Sequence, residues 1–332
     1  MRNCFLTVLA CMAIAPAMAN TTLYGTMDAS LRVRSNTNLQ DASKYELTPG
    51  TYYASNFGIR GREDIGNGNY VSFQLEQGFN PLNGTSADPT RAFNRHAWVG
   101  AGGAWGSVSM GRQYTPLHDL LGPQMWDVLG VGGYEETGWF AGLQYSPRED
   151  NSIKYKGKFL GVEAGLIYAL SEGNNRNSFG ASVTAPLGAL TAALAHHTRY
   201  GATGALKTNM VGFKYALQGG VQLQGNALYS KDSRAAPRED RTLSLGVVVP
   251  VTKELLVSGG LYRSKVDAAA DTGTRTLAVV RAQYALSKRT EIYVEVDRTF
   301  LKRGQVQEFN SAGKIGHNST RSGASIGMMT WF

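Results

Sequence analysis

Cysteine is nearly missing from this chain of 332 residues: there are two, Cys4 and Cys11, both inside the first 19 residues. Beyond that point no disulfide framework is available, and the fold rests on backbone pairing and packing. Proline is scarce at 10, and no repeating glycine triplet occurs, which excludes collagen. After residue 19 no apolar run approaches the roughly 20 residues that a spanning helix needs, so a helical membrane protein is excluded. Charged residues make up only 17 % of the chain, little for an ordinary solvent-facing surface. Glycine is abundant at 40, nearly double the usual share of about 7 %. Tyr, Phe and Trp, at 16, 12 and 5, spread along the whole chain and argue against disorder.

The first 19 residues read as a targeting segment: Arg2 supplies a positive start, an apolar stretch follows, and Ala17-Met18-Ala19 is a small-x-small cleavage site. The expected domains are therefore a signal peptide over 1–19 and one β domain over 20–332.

The remaining chain has period two. Val71-Ser72-Phe73-Gln74-Leu75-Glu76 alternates strictly, and so does Glu291-Ile292-Tyr293-Val294-Glu295-Val296-Asp297. Successive strand side chains point to opposite faces, so each such segment has one apolar and one polar face. Sixteen segments of about 8 to 13 residues follow, the length of a tilted membrane-spanning strand. They begin near Thr22, Ser55, Asn69, Ala92, Gly106, Ser152, Leu160 and Asn177, then near Leu190, Ala205, Val221, Arg241, Glu254, Thr274, Thr290 and Gly323. Short and long connections alternate, apart from a short one at residues 201–204. Short turns at one end and long loops at the other mark an outer-membrane barrel. Closure satisfies every backbone group in lipid and leaves no edge. The fold expected is an all-β, 16-stranded antiparallel transmembrane barrel with short periplasmic turns and long extracellular loops.

Four stretches and the terminus carry a resemblance. They are Thr22-Leu23-Tyr24-Gly25-Thr26-Met27-Asp28, Phe57-Gly58-Ile59-Arg60-Gly61 with the turn after it, Phe93-Asn94-Arg95-His96-Ala97-Trp98 with Gly111-Arg112-Gln113-Tyr114, and Arg148-Glu149-Asp150-Asn151. The chain ends on Trp331-Phe332. In order and spacing these resemble the general porins of Gram-negative bacteria, in particular the beta-proteobacterial type. The resemblance implies a homotrimer in the outer membrane, passive diffusion of small hydrophilic solutes, contact with outer-membrane lipid and lipopolysaccharide, and an assembly signal at Phe332 read by the barrel-assembly machinery. It also implies that the third loop, residues 114–147, folds inward to form the constriction. A trimer would use the first and last strands, with Gly25, Met27 and Ala29 on the packed face.

Alternation places Asn56, Gly58 and Arg60 inward, and Lys154 and Lys156 inward. The family match adds Arg95 and Arg148 to an arginine cluster; the parity of Arg95 stays open. Arg112 shares parity with Val108 and Met110 and ranks below the others. At Asn56 family members often carry Arg. The long loop holds Asp119, Asp127, Glu135 and Glu136 with no Lys or Arg before Arg148, so it should bring carboxylates to face the basic wall. The family likeness and the positive charge, +8 for the whole chain and one less without Arg2, favour anions; the inward acids Glu295 and Asp297, the acidic loop and Asn56 keep that preference weak.

Catalytic readings find little support. The five histidines, 96, 118, 196, 197 and 317, show no metal spacing, and no nucleophile elbow, phosphate loop or dinucleotide fingerprint is present. No cofactor and no metal are expected. Scattered cations and the export signal argue against nucleic acid. The alternative from another class is an outer-membrane barrel enzyme of lipase or protease type, for which His118 and Asp119 are the best candidates.

Overall fold

The computed structural model describes residues 20–38, 40–124, 126–128, 145–171, 177–269, 272–305 and 318–332. The expected signal peptide lies outside them. The chain forms a closed antiparallel barrel of sixteen strands with one additional strand. The first half comprises β1 (Asn20–Arg34), the additional β2 (Lys44–Thr48), β3 (Asn56–Gly66), β4 (Asn69–Gly78), β5 (His96–Gly103), β6 (Gly106–Tyr114), β7 (Arg148–Phe159) and β8 (Val162–Ala169). The second comprises β9 (Ser178–Leu187), β10 (Leu190–Tyr200), β11 (Ala205–Ala216), β12 (Gln222–Asp232), β13 (Arg238–Pro250), β14 (Leu255–Ala268), β15 (Gly273–Ala285), β16 (Thr290–Arg303) and β17 (Thr320–Trp331). One short helix, α1 (Pro116–Leu121), opens the third loop.

Each barrel strand pairs with its chain neighbour, as meander connections require. β1 closes the circle, with β17 on one edge (Thr26 opposite Trp331) and β3 on the other (Thr22 opposite Arg60). Exposure alternates as period two demands. On β1, Leu23, Met27 and Leu31 are exposed while Asp28, Ser30 and Arg32 are buried. The outer face is thus apolar and the inner face polar.

Two features depart from a plain meander. β3 reaches only the lower half of β1, and β2 takes its place above, with Ser30 opposite Thr48 and Arg34 opposite Lys44. Residues 49–55 then turn into the lumen before β3 begins. The second feature is an apolar patch on the inner wall. Ala193, Ala195, Met210, Leu228, Leu277 and Val279 face inward and are buried under Leu117, Leu120, Leu121, Trp126 and Val128 of the third loop. Burying a Leu or Val side chain contributes roughly 1.5–3 kcal/mol, so this patch holds the described part of the loop inside the barrel. The wall is thinned to receive it. A Cβ on Gly246 would lie 2.6 Å from Val128, and one on Gly260 2.8 Å from it.

Candidate functional site

The candidate site residues are brought together by β3 to β7, the start of the third loop and residues 49–55. At their centre is Tyr114, the last residue of β6. Arg95 Nη2 and Arg148 Nη2 both donate to the Tyr114 hydroxyl oxygen, at 2.9 and 3.0 Å, and the Arg148 guanidinium stacks 4.5 Å from the ring centroid. His96 and His118 pack on the same ring, each with centroids 4.3 Å apart. Arg95 precedes β5 and is not held by a strand's alternation. Its Nε donates to Glu76 on β4, and that ion pair directs it inward.

Arg60 follows the alternation read from Phe57 and Ile59, and its guanidinium lies 4.9 Å from the centre of the Tyr24 ring. Arg62, two residues on, stacks 3.6 Å over Tyr70. Tyr24 donates to Glu76 at 2.7 Å and so joins this group to Arg95. Planar guanidinium on an aromatic face fixes a long cation without neutralising it. Among the described residues no carboxylate lies within 4.0 Å of Arg60, Arg62 or Arg148.

Lys154 is buried, bonded to the Tyr114 carbonyl at 2.7 Å and paired with Asp119. Lys156, about half exposed, reaches the same carboxylate at 2.9 Å. Two ammonium groups therefore share one carboxylate. Arg112 sits apart. It donates to the Asn94 carbonyl at 2.7 Å and pairs with Asp150, which Arg91 also holds. The register shifts between Gly111 and Gln113 there. Asn56 is buried, and its amide donates to the Ala54 carbonyl at 2.9 Å rather than facing the channel.

The loop acids are tied down differently from the cross-channel arrangement anticipated above. Asp119 lies under the two lysines. Asp127 is fully buried and accepts from the Tyr262 hydroxyl on β14, while the Trp126 carbonyl accepts from Asn226 at 2.9 Å. Glu135 and Glu136 lie outside the described residues. The inward acids of β16 are each matched: Glu295 with Arg281 at 2.6 Å, Asp297 with Arg32 at 3.0 Å. His118 Nδ1 meets the Tyr145 hydroxyl at 3.0 Å. Burial first, then the Arg148 and Arg95 guanidiniums, hold His118 well below the ordinary imidazole range, so it is a neutral packing group. It and Asp119 thus serve different partners.

Sequence reasoning missed the inward segment at residues 49–55. Asp28 on β1 accepts the backbone N–H groups of Tyr52 and Tyr53, at 3.1 and 2.6 Å, and the Tyr293 hydroxyl at 2.8 Å. The Tyr52 ring then stacks 4.1 Å from Arg281. The available signal was an Asp at an inward position of an otherwise amphipathic first strand.

A family model described as Gram-negative porin matches residues 6–304. The chain belongs to this family. It is an outer-membrane porin, and its strands cross the membrane as a β-barrel. Outer membrane porin protein 32 of Delftia acidovorans is 27 % identical, over 97 % of each chain. An outer membrane porin of Bordetella pertussis is 31 % identical over 172 residues, which span 47 % of this chain and 44 % of that one. Among solved structures, the anion-selective porin from Comamonas acidovorans superposes with a TM-score of 0.79 at 22 % identity, covering 95 % of this chain and all of that one.

Proposed function

We propose that this porin is a passive diffusion channel for small hydrophilic solutes with a weak preference for anions. One observation supports the reading above the rest: Arg60, Arg62 and Arg148 carry uncompensated charge in the lumen, whereas the acids near them are paired with cations or buried behind the loop. The solved structure it superposes on is described as anion-selective, which agrees. Reversal potentials in planar bilayers under a KCl gradient test it. Purified protein should give the anion sign, strongest at low salt; a cation sign would overturn the proposal.

The assembly we propose is a homotrimer packed through the first and last strands, whose outer faces present Leu23, Met27 and Leu31 beside Ile326 and Met328. Gly25 has another task than close packing between subunits. Phe332 exchanges backbone hydrogen bonds with it, 3.1 Å each way, and a Cβ on Gly25 would lie 2.5 Å from the Phe332 ring. The terminal residue thus closes the barrel seam, which suits the role of assembly signal. Deleting Phe332 should lower the amount of protein inserted in the outer membrane, measured on isolated membranes, while the inserted fraction conducts normally. Unchanged insertion would remove the claim.

A further inference from the structure

The lumen between Tyr114 and the short turns carries a hollow that a plain diffusion channel does not need. Two cross-strand rows of inward residues meet there. One runs Arg62, Ser72, Gly100, Ser109, Lys154 from β3 to β7, and the next runs Asp64, Tyr70, Gly102, Ser107, Lys156. On the middle strands β5 and β6 these rows hold only Gly and Ser, while longer side chains stand on either side. The result is a cavity of about 400 Å³, lined in part by Tyr70, Ser72, Ser107, Ser109 and Lys156. A second hollow of about 310 Å³ continues it toward the short turns and shares Tyr70, Ser107, Asp119 and Lys156 with it.

Both sides of this cavity are cationic, by different means. On β3, Arg62 reaches over Tyr70, 3.6 Å from the ring centre, and Tyr70 in turn lies against Gly102, where a Cβ would come within 2.4 Å of the ring. The stack holds the guanidinium in the lumen without neutralising it. Asp64, in the neighbouring row, turns instead to the Gly66 N–H at 2.7 Å. On β7, Lys154 and Lys156 share the single carboxylate of Asp119, which leaves this side one positive charge in excess. Lys156 is about half exposed, and an ammonium group has three donors, so it can serve a second acceptor. From Tyr70 on β4 to Lys156 on β7 is three strand spacings, about 14 Å along the wall. Between these sides Ser72 and Ser107 line the cavity with hydroxyls that make no hydrogen bond among the described residues.

We infer that this cavity binds sugar diacids, short hydroxylated chains with a carboxylate at each end. One carboxylate meets the Arg62 fork and the other meets Lys156, while the two serines take hydroxyls between them. A chloride or phosphate ion reaches only one side of the cavity. A diacid without hydroxyls spans both sides but leaves Ser72 and Ser107 unmet. A sugar acid with one carboxylate answers the serines but only one of the cations. The inference deepens the anion reading and rests on it, since the lumen must admit anions before this cavity can hold them. What it adds is affinity: a saturable site, with the class of solute that fills it.

Planar bilayers holding the purified porin in dilute KCl test it. The probes are D-glucarate, with two carboxylates and hydroxyls between them, adipate, with the two carboxylates alone, and D-gluconate, with the hydroxyls and one carboxylate. Glucarate should lower the single-channel current saturably, with its half-effect at about tenfold lower concentration than adipate or gluconate. Arg62→Gln and Lys156→Gln should each raise that concentration about tenfold, because a charge-assisted contact is lost. Loss of charge acts on any anion, so the deciding variant is Ser72→Ala with Ser107→Ala. It should weaken the glucarate block and leave the adipate block and the KCl reversal potential where they were. Unchanged glucarate block in that variant overturns the inference. Should the serine variant not assemble, the wild type decides alone: glucarate ahead of both other probes supports the site, and equal block by all three overturns it. The anion sign in KCl with equal block overturns the site and keeps the channel reading, whereas a cation sign overturns the channel reading itself.

Discussion

Replacing Arg60 and Arg148 together with Ser should move the reversal potential toward the cation side and raise the single-channel conductance. Both guanidiniums reach the lumen without a carboxylate within 4.0 Å among the described residues. At about 7 Å in a water-like medium, a unit charge is worth roughly 0.6 kcal/mol to a passing ion. Losing two such charges changes the occupancy of anions and cations by about sevenfold each, in opposite senses. Screening shortens this reach, to about 3 Å at 1 M salt, so the shift should be large in dilute electrolyte and small in molar electrolyte. Arg95→Ser should do less to selectivity, because Glu76 already offsets its charge. A double variant with the wild-type reversal potential in dilute salt would remove Arg60 and Arg148 from the narrowest point.

The second large effect is expected at Asp28. Asp28→Ala leaves two backbone N–H groups and the Tyr293 hydroxyl without their acceptor. Unmet hydrogen bonds at buried groups cost about 1–3 kcal/mol each, less where water can enter. Residues 49–55 should then leave their seat, with Tyr52 coming off Arg281. The barrel itself should hold, because its strand ladder is untouched. Single-channel traces should become larger and noisier, and limited proteolysis should cut within 49–55. Asp28→Asn keeps a carbonyl oxygen for the two N–H groups and should stay near wild type. Quiet, wild-type currents from the Ala variant would show that this segment does not shape the pore.

Much of the architecture was legible because a lipid-facing strand leaves a clear record. All sixteen barrel strands follow the period-two reading, and those at Asn69, Gly106, Leu190, Ala205 and Thr290 start where it placed them. β2 escaped because Tyr45-Glu46-Leu47 alternates over too few residues to stand out from a loop. Inward placement of Arg60, Lys154 and Lys156 came from alternation alone. Arg95 could not be assigned that way because β5 starts one residue later, and an ion pair aims its side chain. Arg112 was ambiguous because a register shift at Gly111 breaks the alternation beside it. The pairing of Asp119 with Lys154 and of Asp127 with Tyr262 links residues far apart in sequence. Charge content gives the sign of a loop, but not which of its acids are consumed by the wall. The inner apolar patch left a trace that periodicity alone does not interpret: Ala192-Ala193-Leu194-Ala195 is apolar on both faces of β10.

That patch makes the channel electrically lopsided. The described part of the third loop and the wall behind it form a shoulder of low polarisability, while β3 and the start of the loop present guanidiniums and hydroxyls. An ion near such a shoulder meets an image force of its own sign, whatever its charge, and is pushed across the lumen. Ions of either sign are thereby held off the loop. In the proposed channel the grease that fastens the loop thus narrows the path open to ions and leaves the choice of sign to the arginines.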